Sequence, residues 1–585
     1  MRWYISENKK RIASTNFEGH KDDVEMSGES VSGLIFYGVE KGMLTLNRLF
    51  IYPNFRIQPD VTQSSYKVET SAPTLFLDGE EKFVRVELDG VLSIYTRVGD
   101  LEITRRFYPS TTLPIFYEQI ELFNGGKAPI TPTWTKYVRT DKKLGCEGWI
   151  YAERIADKEP QTIGAGLKVT VTFGYSARFV NSEIPSEQNP LEKRRKRVEE
   201  LLSVCDLTTG DEVLDTAFAF AKIRAGESIF RTRKGRVHSP GGTNYYAAVW
   251  CNDQSEYSTP WFAYTGDVIA QEAVKNAMDW YAPYMNDDYD PMPSSIISEG
   301  TDYWNGVGDR GDASMYLYGN SRYYLIRGEL PSEKHAKMLA WCAEYISRKM
   351  TEEGIVVSDT DELENRLSSG INLSTSCLSY GAFGHYATLL LREGKKAEAE
   401  KIIQKREKIK RGIEKYFACD VSGYPVYQYH KDCKEIRSWI CLPPYMGITE
   451  RAEAVAKAID EKLWTGGSCR STEGENIMWD RSAIYYITML FRIGKTEQGL
   501  EKLREYAKNR LLGERVPYAV EAYPEYNMRH LSAESALLCR IITDGLFHIR
   551  LTESGFSIQG KRPTGLEKVT LRKVWICGGY KDLEL

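Results

Sequence analysis

Apolar and polar residues alternate one by one in short runs through the first third of the chain. Residues 82–126, KFVRVELDGVLSIYTRVGDLEITRRFYPSTTLPIFYEQIELFNGG, show it most plainly, with turns at Asp89-Gly90, Gly99-Asp100 and Gly125-Gly126. Period-two patterning between such turns predicts half-buried strands. Residues 166–180, GLKVTVTFGYSARFV, repeat it. No helix-length periodic segment intervenes, so residues 1–185 read as an antiparallel β-sandwich rather than a sheet with crossover helices.

Near residue 190 the period changes. Segments such as 211–230, 267–285, 312–328, 331–350 and 372–394 place apolar or aromatic residues three and four apart, as do 450–464, 480–494, 497–512 and 531–547. With the stretch around 395–415 this predicts about a dozen amphipathic helices. Several open on Asp, Ser or Thr and several close on Gly, as helix ends prefer. Helices of similar length joined alternately by short and long loops stack as hairpins, and an (α/α)6 barrel over 205–547 is expected. Residues 186–204 read as a linker helix whose basic run, Glu192 to Arg197, forms its solvated face. Residues 548–585 return to strand alternation and are too short to fold alone.

Composition narrows the function. Hydrophobic residues are 42% and charged residues 27% of the chain, as in an ordinary folded protein. A net charge of -4 provides no broad positive field for nucleic acid or an anionic membrane. No apolar run has transmembrane length, so no membrane insertion is expected. Eleven cysteines without Cys-x-x-Cys spacing and seven scattered histidines argue against a metal site, and no dinucleotide, P-loop or HExxH fingerprint occurs. Neither a cofactor nor a metal is therefore expected. Free thiols and the lack of a leader-like N-terminus favour the cytoplasm; a periplasmic or secreted protein relieved of its leader would look the same. The 12 Trp, 37 Tyr and 20 Phe suit both a large core and a site that stacks sugar faces.

Four segments carry the aromatic and acidic loops: 241–267 (GGTNYYAAVWCNDQSEYSTPWFAYTGD), 298–319 (SEGTDYWNGVGDRGDASMYLYG), 360–383 (TDELENRLSSGINLSTSCLSYGAF) and 520–547 (VEAYPEYNMRHLSAESALLCRIITDGLF). With these loops between its helices, the chain resembles the six-hairpin glycoside hydrolases, whose glucoamylase-like, trehalase-like and rhamnosidase-like members share the layout. The resemblance implies an oligosaccharide or glycoside substrate bound in a funnel at one end of the barrel. It also implies an acid from a mid-barrel loop, a base from the loop before the last helices, and inversion by an exo-acting hydrolase. A phosphorylase on the same fold, or an inactive glycan-binding protein, are the alternatives. Oligomeric state is not legible.

Glycoside hydrolysis needs a carboxylic acid for the leaving oxygen and a carboxylate for the incoming water. In the first loop Asp253 follows Trp250, as a sugar contact beside a stacking ring or as a helix cap. In the second, Glu299, Tyr303 and Trp304 are candidate substrate contacts, Asp309 and Arg310 a structural pair or further contacts, and Asp312 a cap. The third crowds Asp359, Asp361, Glu362 and Glu364 together, and like-charge crowding raises a pKa toward that of a general acid. Glu364 leads there, with Glu362 its rival. In the fourth, the spacing from Glu521 to Leu531 resembles the family's base loop, so Glu521 leads and Glu525 follows. Tyr523 lies beside them, and Glu534 ranks lower inside its helix. Trp479, with Asp480, belongs to an adjacent substrate or capping segment. An inverting pair would lie roughly 6.5–9.5 Å apart, a retaining pair about 5–5.5 Å.

Overall fold

The computed structural model describes the chain except residues 1, 7–10, 16–17, 20, 60, 247, 298, 300–301, 363–369, 514–515 and 524–529, and the side chains of 522–523. Among the described residues, thirteen strands of the N-terminal region form one antiparallel network. Tyr137–Gly145, Gly148–Ala156, Lys168–Phe179, Ile115–Asn124, Leu101–Pro109, Leu92–Val98 and Lys82–Leu88 lie side by side in that order. The last meets Met43–Arg56 through the single pair Met43↔Lys82, beyond which come Ser32–Glu40 and Lys21–Ser27. The network folds over on itself at this seam. Phe50 of one layer packs on Phe116 and Tyr175 of the other, with ring centroids 5.3 and 4.4 Å apart. Between the layers Glu118 accepts from Arg48 at 3.0 Å and Arg105 at 2.8 Å. These two cations hold its carboxyl below the usual range despite complete burial.

Among the described residues, thirteen α-helices follow. They are α1 (Pro190–Leu202), α2 (Glu212–Ala225), α3 (Thr259–Thr265), α4 (Val268–Tyr281), α5 (Asp312–Arg327), α6 (Glu333–Lys349) and α7 (Leu373–Arg392). Then come α8 (Lys396–Tyr416), α9 (Leu442–Met446), α10 (Ala452–Lys462), α11 (Asp480–Arg492), α12 (Thr496–Glu505) and α13 (Ser532–Arg540). The helices α3, α5, α7, α9, α11 and α13 touch in sequence and close on themselves through α13 and α3. They form the inner ring. Every residue of α5 is buried, whereas α6 and α8 bury one stripe each, the difference between an inner and an outer helix. The outer ring is α4, α6, α8, α10, α12 and α2, so the toroid has six pairs.

The helix α2 has two jobs. Leu214, Ala217, Phe218 and Ala221 join the barrel core, while Ala219, Phe220 and Ile223 join the core of the β region. The basic run on α1 is not wholly solvated as the sequence reading expects. Arg194 is buried, donates to the Gly90 carbonyl at 2.9 Å and pairs with Glu227. At the C-terminus, Thr570–Ile576 pairs with Asp206–Thr208 on one side and Gly579–Glu584 on the other. This small sheet packs on α3 and α5, and the Cys577 N–H donates to the Ile326 carbonyl at the end of α5. All eleven cysteines are free thiols.

Candidate functional site

A pocket of about 320 Å³ opens where the inner helices begin. Two short pairings build its walls. Strands Ala248–Trp250, Ser295–Ile297 and Tyr303–Trp304 form a small sheet in which Ser295 opposes both Trp250 and Trp304. The two indoles then meet over the same row, with centroids 5.3 Å apart, and Tyr245 sets its edge against Trp250. On the other side Trp479 pairs with Ala522, which places Glu521 next to the start of α11. Trp250, Asp253, Trp304, Arg310, Glu362, Trp479 and Glu521 all line the one pocket, although they come from five separate loops.

Between Trp250 and α3 the backbone runs wide, as a π-helical segment over Asn252–Ser258 whose residues are all buried. Such insertions shift the face a helix presents and recur at functional sites. Here it turns Asp253 to the pocket and Glu256 and Tyr257 inward. The Asp253 Oδ1 atom is buried with no hydrogen-bond partner among the described residues and lies 3.9 Å from Arg481. The Trp250 Nε1 is likewise unsatisfied. Orphaned polar atoms facing a cavity are where a polar ligand would bind.

The electrostatics follow from burial set against a few cations. Burial pushes the Glu362 carboxyl up; Arg481 and the hydrogen bond from the Tyr257 hydroxyl oppose it, and Asp361 adds to the rise. Asp253 is raised further, by burial and then by Glu534. Glu534, which accepts from Arg481, still reaches about 7 because burial outweighs that contact. Glu256 is raised by burial and by Glu362, and accepts from the Tyr485 hydroxyl. Arg310 lies over Trp250 and donates to Asn252 and Asp312, each at 3.2 Å. Burial thus biases Asp253, Glu256, Glu362 and Glu534 toward their protonated forms, against the pull of Arg481.

Other candidates stand elsewhere. Glu299 accepts the Arg233 backbone N–H at 3.0 Å and does not line the pocket. Tyr303 is 51% exposed and sets its ring against Tyr284. Asp309 turns away to accept from Tyr345 at 2.7 Å and from the Gly311 N–H, and burial lifts it to about 6. Arg310 instead pairs with Asp312, the first residue of α5 rather than its cap, which is Gly311. Glu364 and Glu525 lie outside the described residues, as does the Tyr523 side chain. Sequence reasoning missed Arg481, Asn252 and Tyr245, and with them Thr62 and Gln63 from the β region. The Arg after Trp479 and Asp480 was the one available signal; nothing in period-two strands marks Thr62 or Gln63.

No family model matches the sequence, and a search of curated proteins finds no relative. Solved structures do match. A protein described as a kojibiose phosphorylase from the human microbiome superposes with a TM-score of 0.57 at 9% identity, over 100% of this chain and 95% of that one. A bacterial glucoamylase complexed with acarbose gives 0.54 at 9% identity, over 89% and 96%. The chain has the six-hairpin fold. At such identities the likeness concerns architecture, a β region followed by a helical toroid across nearly the full length of both proteins.

Proposed function

We propose that the chain is a glycoside-cleaving enzyme, with Glu362 as general acid and Glu521 as the base that activates water. The observation that carries this is the convergence of the two carboxyls, from distant loops, on one pocket walled by Trp250, Trp304 and Trp479. Indole faces cover the apolar faces of a sugar, while carboxylates and amides take its hydroxyls. Glu362 is held toward its protonated form by burial, as an acid that gives its proton to a leaving oxygen must be. Its Oε2 accepts from Tyr257, which leaves the other oxygen to carry that proton. Asp253, with an unsatisfied oxygen, is placed to take a hydroxyl of the bound sugar. A volume of about 320 Å³ suits one or two sugar rings, hence release from a chain end.

The resemblance to inverting enzymes supports water attack opposite the leaving group. Proton NMR in the first minutes of hydrolysis reads the anomer released, and a retained configuration would overturn inversion. Glu362→Gln and Glu521→Gln should each cost about two to four orders of magnitude in kcat while the fold is kept. Full activity in both would remove the assignment. A phosphorylase is the second reading, favoured by Arg310 and Arg481 in the pocket lining. Both arginines already have acidic partners, Asp312 and Glu534, which supports water as the acceptor. Turnover that requires inorganic phosphate and releases a sugar phosphate would decide for phosphorolysis.

A further inference from the structure

A second cavity, of about 430 Å³, lies at the other end of the barrel, among the C-terminal halves of the inner helices. It is lined by Arg322 of α5, Arg406 of α8, Arg492 of α11 and Arg550 of the C-terminal hairpin Ile549–Thr552/Gly555–Ile558. Its single acidic lining residue among those described is Asp544. That carboxylate is already engaged: Arg322 donates to it at 2.6 Å and Arg540 at 2.9 Å. Arg406 is partly spoken for by Glu407 at 3.6 Å and by the Tyr380 carbonyl. Arg492 and Arg550 are not. Arg492 lies over the Tyr445 ring, and neither guanidinium meets a carboxylate or a carbonyl oxygen among the described residues. The Arg322 Nε is buried and also lacks an acceptor.

Cations near helix C-termini are favoured by the carbonyl ends of the helices. In this barrel Arg392 does that work, donating to the Leu325 and Thr552 carbonyls. Arg492, the last residue of α11, shares that helix-end setting, whereas Arg550 lies on a strand of the hairpin and no helix end accounts for it. Two histidines report the resulting field. Burial and then the neighbouring arginines, Arg322 for His385 and Arg492 for His548, hold both rings neutral, His548 at about 4.

We propose that this basal cavity binds a phosphate group, free or as a small monoester. A guanidinium fork matches the oxygens of a tetrahedral oxyanion, and a dianion balances the two unpaired arginines, Arg492 and Arg550, better than a carboxylate does. The His548 imidazole supplies a further hydrogen-bonding group, since His385 spends its N–H on the Tyr318 carbonyl, and the volume exceeds what bare phosphate needs. The site lies at the opposite end of the barrel from the sugar pocket and does not depend on the activity proposed for it.

The test is binding to the full chain without any sugar substrate, by calorimetry and thermal shift at fixed ionic strength. The probes are inorganic phosphate and glucose 6-phosphate, with glucose as the neutral control. Saturable binding of at least one phosphate probe is expected, over and above whatever glucose alone shows in the sugar pocket. Tighter binding of the ester identifies an ester site; equal or tighter binding of inorganic phosphate identifies a phosphate site. Arg492→Gln should weaken binding by about tenfold or more, as loss of a charge-assisted contact does. Arg550→Gln, at an exposed position that leaves the core untouched, should weaken it by several fold. Absence of binding by either probe up to ~10 mM, a range covering even weak sites, would overturn the proposal. So would affinities unchanged in both variants, which would place the phosphate elsewhere.

Discussion

Two buried carboxylates show how single side chains are set in this barrel. Glu362 and Asp544 are both buried in the walls of cavities, and both have arginines nearby. Asp544 takes direct hydrogen bonds from two guanidiniums and drops to about 2. Glu362 takes one from a neutral tyrosine and rises. For Asp544 the folded pKa lies below the unfolded one, so its stabilisation is present above about pH 4 and fades as pH falls toward 2. Asp544→Asn should cost roughly 3–5 kcal/mol, since it strands Arg322 and Arg540, and acid titration followed by circular dichroism should lose its component in that window. For Glu362 the shift is opposite, so kcat/KM should decline as pH rises through a pKa above the usual carboxylate range. That alkaline limb should be missing from the residual activity of Glu362→Gln. The loop acids were legible in the sequence because acids and tryptophans cluster between helical segments. Arg481 was not: it looks like an ordinary charged position near a helix start, and its pairing with the lower-ranked Glu534 across α11 and α13 is set only by the closure of the ring.

Among the elements, the change of period near residue 190 announced helices in place of strands, and the order of apolar stripes announced hairpins. What period cannot show is a defect within a helix. The π segment before α3 arises where α5 comes so close that only glycine fits: a Cβ on Gly319 would stand 1.5 Å from the Ser255 carbonyl oxygen. Gly319→Ala must push that backbone aside, and with it Asp253 and Glu256. Overpacking of this kind costs about 1–3 kcal/mol and sometimes more. The expected result is a lower Tm together with a disproportionate fall in kcat, measured beside a Gly→Ala control at Gly579, whose backbone is not left-handed and where a Cβ would meet nothing within 4 Å. The double-faced α2 was equally hidden, since a helix buried on both sides simply reads as apolar.

For the molecule as a whole, the β region and the toroid share material at one place. Val516, Tyr518 and Val520 belong to the core of the β region, immediately before Glu521. On the far side of that loop His530 bonds to Asp23 at 3.1 Å and to the Tyr518 hydroxyl at 2.9 Å, and its carbonyl accepts from Arg224. Val520 is also held by Asp480 through its N–H at 2.8 Å. Both flanks of the loop carrying the proposed base thus rest on strands of the first 27 residues or on groups tied to them. A chain starting at 190 would expose Phe220, Ile223 and Val520 and is expected to aggregate, whereas the full chain should melt in one calorimetric transition; two separated transitions would contradict this coupling. Since Thr62 and Gln63 also reach the pocket, the β region is a handle for redesign. Grafting it from a structural relative would exchange part of the rim and the seat of the base together, so specificity and turnover would be inherited as one trait.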